Sequence, residues 1–100
     1  MNAHPHVLVV GLSQLDGLRP LASRARLVVG VGPDDDVIAA RRAFVDLDNV
    51  MFTPGSRNDI PWGDAHFTAI VDLESGGPTP EMLRVLKPGG QIFRSFQEFA

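Results

Sequence analysis

Apolar residues gather in five short runs along the chain: 6–10 (HVLVV), 26–31 (RLVVGV), 49–53 (NVMFT), 67–73 (FTAIVDL) and 91–96 (QIFRSF). The first, second and fourth are nearly continuous rather than alternating, the pattern of strands buried on both faces. Between them the spacing turns helical. Leu18, Leu21 and Ala22 share one face of a helix predicted over 18–25, with Pro20 in the first turn, where its missing N–H costs nothing. Val37, Ala40, Arg41 and Phe44 mark a second helix from 34 to about 45. Asp34 is its predicted N-cap, and Asp35 and Asp36 suit the positive end of its dipole. EMLRVL (81–86) gives a third helix stopped by Lys87-Pro88-Gly89-Gly90, with Gly89 in the left-handed conformation of a helix end. The turn formers of PGSRNDIPWGDA (54–65) predict a loop. Strands alternating with helices predict a parallel sheet with right-handed crossovers in an α/β sandwich.

Composition narrows the function classes. One hundred residues form a single domain, 1–100, and a content of 44% hydrophobic and 21% charged residues is that of a folded chain. A net charge of −3 with scattered basic residues gives no surface for nucleic acid or anionic membrane. Cysteine is absent, which excludes disulfides, thiolate metal sites and cysteine nucleophiles. The longest apolar runs, such as LVVGV at 27–31, are too short to span a bilayer. MNAHPH has no basic end followed by an apolar core, so a cytoplasmic location is expected.

Three segments carry a family resemblance: RVLKPGGQIF (84–93), IPWGDAHF (60–67), and the interval from Gly11 to Gly30-Val31. On these, Val7 to Phe93 resembles the core of class I S-adenosylmethionine-dependent methyltransferases, of the kind that modify small molecules. The resemblance implies a Rossmann-like three-layer α/β sandwich around a five-stranded, mainly parallel sheet of order 3-2-1-4-5. It also implies S-adenosylmethionine as cofactor and, as candidate contacts, Gly11, Ser13, Gly32, Gly55, Ser56 and Asp72. Residues that shape the scaffold match the family: Gly11, Gly30, Pro61, Phe67, Pro88, Gly89 and Gly90.

The binding positions depart from it. The acid that often precedes the first loop is Val9, and the loop's second and third glycines are Ser13 and Leu15, which puts a branched side chain where the cofactor's methionine part lies. The ribose-binding acid at the end of strand two is Gly32; Asp34 stands two residues on, either reaching back or serving only as a cap. The Gly-Asp pair at the adenine is Gly55-Ser56, with Asp59 three residues beyond, and the later Phe-Asp pair is Phe67-Thr68. Family enzymes also carry helices before strand one and a helix and hairpin after strand five, so the chain reads as a truncated domain with a degraded cofactor site.

Other chemistry is sparse. His4 and His6 share a metal or merely end the chain; His66 is a base or an edge residue without a role. Asp72, Glu74 and Ser75 lie at the strand-four end, where open α/β sheets bind ligands, with Asp72 the first acid to test; the alternative is an acid that only faces water. Trp62 and Phe67 pack the loop onto the sheet, unless Trp62 stacks on a ring ligand. Residues 91–99 predict an exposed sheet edge bearing Ile92, Phe93, Phe96 and Phe99, suited to a homodimer or a protein partner. Three functions follow: a non-catalytic domain acting through protein contacts, a minimal methyltransferase that needs a partner, or a binding module for another nucleotide or small polar ligand.

Overall fold

The computed structural model describes residues 6–74 and 76–99. Its elements run β1 (His6–Val10), α1 (Leu18–Ala22), β2 (Leu27–Gly32), α2 (Asp34–Ala43), β3 (Val50–Pro54), β4 (Phe67–Asp72), α3 (Pro80–Val85), β5 (Leu86–Phe93) and α4 (Phe96–Phe99). All sheet neighbours are parallel and the order is β3-β2-β1-β4-β5, as the resemblance implies. Val7 to Val10 are at most 1% exposed because β1 lies at the sheet centre with cover on both faces.

Alternation in the strands divides the core. Val7, Val9, Val28, Phe52, Ala69 and Val71 face α1, α2 and α4, whereas Leu8, Val10, Val29, Val31 and Ile70 face α3 and the loop bearing Ile60. That makes three layers, with the 54–66 loop covering part of one face in place of a helix. Trp62 and Phe67 pack as expected, ring centroids 5.9 Å apart.

Several expectations need correction. The first helix stops at Ala22, although Leu18, Leu21 and Ala22 are its buried face as expected. Asp34 does not cap α2: Pro33 holds the N-cap position without a side-chain bond, and Asp34, Asp35 and Asp36 form the first turn, opposite Arg41 and Arg42 in the last. α3 takes its cap from Thr79, whose hydroxyl accepts from the Met82 N–H (3.1 Å), with Pro80 leading the helix. Lys87-Pro88-Gly89-Gly90 does not cap this helix. Leu86 is already extended, and β5 runs through the four residues with an irregularity opposite Phe67 and Ala69, where Gly89 (φ +82°) takes the left-handed conformation.

The edge predicted over 91–99 also breaks. β5 ends at Phe93, and Phe96–Phe99 folds back as a helical turn with Phe99 buried in the core beside α1 and α2. A Cβ on Gly17 would lie 2.5–2.8 Å from the Phe96 side chain, so the glycine allows this turn to dock. His6 is not a loose terminal residue but opens β1, its ring stacked on His66 at 4.6 Å; His4 lies outside the described residues. Among the described residues no helix is long and apolar enough to cross a membrane.

Candidate functional site

The carboxyl ends of the strands, where an open α/β sheet takes its ligands, converge on Gly11, Gly32, Gly55, Asp72 and Arg94. Gly11 turns the chain out of β1 at φ +98°, and its N–H donates to the Val31 carbonyl (3.1 Å). A side chain there would also meet Glu74 Cγ at 3.0 Å. Past Gly11 the chain stays irregular until α1 begins at Leu18, so no helix N-terminus stands over the loop. Ser13 is exposed, while Leu15 is half-buried and packs against the core beneath α1 and α2. The hollow that Leu12, Ser13 and Leu15 share with α2 measures about 200 Å³, below the roughly 300–1,000 Å³ of ligand pockets.

Leu12, which the sequence reading passed over, shapes this end of the crevice. It is buried against β2, and a Cβ on Gly30 or Gly32 would come within 2.8–3.0 Å of its side chain. The sequence signal is the pair of glycines two residues apart on the facing strand, which clears room for one bulky neighbour. Gly32 offers its carbonyl to the Gly55 N–H (3.1 Å). Gly55 is itself closed over, because a Cβ there would lie 2.9 Å from Pro61 Cδ and 3.0 Å from the Asp59 carbonyl. Ser56 and Asp59 join in a two-way backbone bridge (3.1 Å each), and Ser56 Oγ accepts from the Asn58 N–H. Gly32 and Ser56 themselves carry no carboxylate; Asp34 opens α2 two residues past β2 and Asp59 stands across the turn from Ser56, both exposed.

Asp72 does not face water. It is 3% exposed and bound in a fork by Arg57, with Nη1 donating to Oδ1 and Nη2 to Oδ2, both at 2.9 Å. Arg57 Nη1 also meets Glu74 Oε1 (3.3 Å), Nη2 donates to the Gly77 carbonyl, and the Glu74 N–H donates to Asp72 Oδ1 (3.1 Å). These bonds hold the Arg57 guanidinium above its ordinary pKa, the Asp72 hydrogen bonds contributing most. Asp72 pairs with Val10, Val10 with Val31 and Val31 with Thr53, so a residue of the β3–β4 loop reaches over the ends of β2 and β1 to grip β4. Beside the clamp a cavity of about 500 Å³ is lined by Asp72, Gly76, Gly77, Pro78, Ile92 and Arg94. An acid that ends an apolar strand buried on both faces demands a cationic partner, a signal that calls for a cation without naming Arg57.

The loop's second half is tied to α3. Glu81 Oε1 accepts from the Ile60 N–H (2.9 Å), and Arg84 donates to the Ile60 and Trp62 carbonyls (2.8 and 2.9 Å), to Asp64 and to Glu81. Arg84 first, then the Ile60 N–H, pull the Glu81 carboxyl down to about 2. His66 sits at the opposite end of the sheet, six residues before Asp72 and about 20 Å away along the extended strand, so it cannot serve as a base in the crevice. Its Nε2 is buried without a partner, and burial, followed by the neighbouring His6 and Lys87, lowers its pKa. Among the described residues no three His, Asp or Glu side chains are grouped to hold a metal.

No family model and no curated protein matches the sequence. Solved structures do. A chain in the complex between the Haloferax volcanii Trm112 methyltransferase activator and a candidate methyltransferase superposes with a TM-score of 0.74 at 25% identity over 92% of this chain and 45% of its own. The YcgJ protein of Bacillus subtilis gives 0.71 at 20% identity, over 91% and 43%. A candidate methyltransferase from Bacillus halodurans gives 0.66 at 20%, over 92% and 44%. This chain thus spans less than half the length of these three. With the strand order, the layers and these superpositions together, the chain has the fold of the class I S-adenosylmethionine-dependent methyltransferases.

Proposed function

We propose that this is a methyltransferase-like domain whose crevice no longer holds S-adenosylmethionine and which works through contacts with protein rather than by catalysis. One observation supports the reading: Gly32 and Ser56, neither of which carries a carboxylate, fall by the family resemblance at the positions whose acids accept from the ribose hydroxyls and the adenine amino group. A buried hydrogen bond left unmade costs about 1–3 kcal/mol, more when the missing partner is charged. Two such losses, even short of additive, remove most of the grip on an adenosyl group. On this reading the protein is cytoplasmic and has neither nucleic acid nor membrane as partner.

The contact surface is the outer edge of β5, which pairs with β4 alone among the described residues. An edge strand of this kind can take an added strand, either from a second copy or from another protein. Light scattering on the purified chain, with pull-downs from its own host, tests this. Self-association or a partner lost on Ile92→Pro supports it, whereas a strict monomer that captures nothing overturns it.

The neighbour solved in a complex with a methyltransferase activator favours a second reading, in which this domain is a minimal methyltransferase completed by a partner. Methyl transfer from labelled cofactor that appears only when a Trm112-type activator is added would select that reading.

A further inference from the structure

Residues 56–59 form a closed turn, with Ser56 and Asp59 bonded only to each other and Asn58 bonded to Ser56. Among the described residues, every hydrogen bond from this turn to the rest of the molecule runs through Arg57. Its carbonyl accepts from Thr79 Oγ1 (2.5 Å), and its guanidinium grips Asp72, Glu74 and the Gly77 carbonyl. The loop beyond is fastened separately, by buried Ile60 and the Glu81–Arg84 network. Arg57 thus carries the turn's own ties, between the Gly55 N–H bonded to the Gly32 carbonyl on one side and buried Ile60 on the other.

We propose that Arg57 is a releasable latch: its guanidinium fills a seat formed by Asp72, Glu74 and the Gly77 carbonyl, and so holds the 56–59 turn closed over the crevice. The seat suits a planar fork, with two parallel bonds to one carboxylate and further acceptors at the rim. Asp72 is nearly sealed, but the Arg57 side chain keeps 16% exposure and Glu74 keeps 45%, so water and solutes reach the outer side of the contact. Release would swing the turn out, uncover the Asp72 carboxylate and join the strand ends to the cavity of about 500 Å³ beside them. The device controls access to the strand ends, and it stands whether or not the crevice takes an adenosyl ligand.

Amide hydrogen exchange on the whole chain tests it. In Arg57→Ala the Gly55 amide, bonded to the Gly32 carbonyl at the root of the turn, should exchange about tenfold or more faster, while Val9 and Val29 in the central strands keep wild-type protection. Millimolar methylguanidinium fills the seat without tethering the turn, so it should leave the fast rate of this variant unchanged. In the wild type it should compete for the seat and speed exchange at Gly55, beyond any effect of sodium chloride at equal ionic strength. Arg57→Lys, a cation without the fork, should fall between. Unchanged exchange at Gly55 in Arg57→Ala would overturn the latch, as would restoration of slow exchange by untethered methylguanidinium. So would a loss of protection at Val9 and Val29 in both variants, which would make Arg57 a strut of the whole fold.

Discussion

Leu12 and Gly32 act as one unit, and their packing sets what the crevice can regain. A side chain on Gly32 would meet Leu12 Cγ at 2.9 Å, so Gly32→Asp does not simply restore a ribose-binding acid. It should destabilise the chain by about 1–3 kcal/mol in urea unfolding, as overpacking does, and Leu12→Ala in the same chain should return part of that loss. His66 gives a prediction with a sign. Its folded pKa is lowered from 6.5, so the unfolded chain binds the proton more readily. Stability should be flat above pH 6.5 and decline as pH falls through the lowered folded value, and His66→Phe should abolish that decline in melting curves. At this scale the site was only partly legible. Gly32 and Ser56 could be read directly as missing acids, whereas Arg57 could not, because nothing local in a turn-rich loop says which distant carboxylate an arginine will find.

At the scale of elements, polar ties and close approaches fix what apolar patterning leaves open. α3 is capped by Thr79, and Thr79→Ala should cost about 1 kcal/mol through the helix cap, with a further loss at the Arg57 carbonyl. Glu81 binds the loop to α3 with its carboxyl held near 2, below its ordinary 4.5. That support is present above pH 4.5 and is lost as the pH falls toward 2, so acid should free the Trp62 loop, which its fluorescence would report. The strands were legible because continuous apolar runs have few other uses. The chain's end was not: the aromatic residues of 91–99 suit a strand edge equally well, and only Gly17 on a distant turn, by letting Phe96 approach, makes the segment fold back. Gly17→Ala should therefore undock α4 and raise exposure of Phe99, a change near-ultraviolet circular dichroism detects.

For the molecule as a whole, the scaffold and the ligand positions have separate physical requirements. Buried β1, the glycines at Gly11 and Gly30 and the parallel order β3-β2-β1-β4-β5 keep the sheet intact without any bound group. On the proposed reading, Gly32 and Ser56 replace carboxylates that add nothing to that packing. The order of the sheet came from family resemblance, since hydrophobic pattern alone gives strands but not their neighbours. Calorimetric titration of the intact chain with S-adenosylhomocysteine addresses the central claim most directly. The account predicts no saturable heat up to millimolar ligand; saturation at micromolar concentration, with amide shifts centred on Gly11, Gly32 and Ser56, would contradict it.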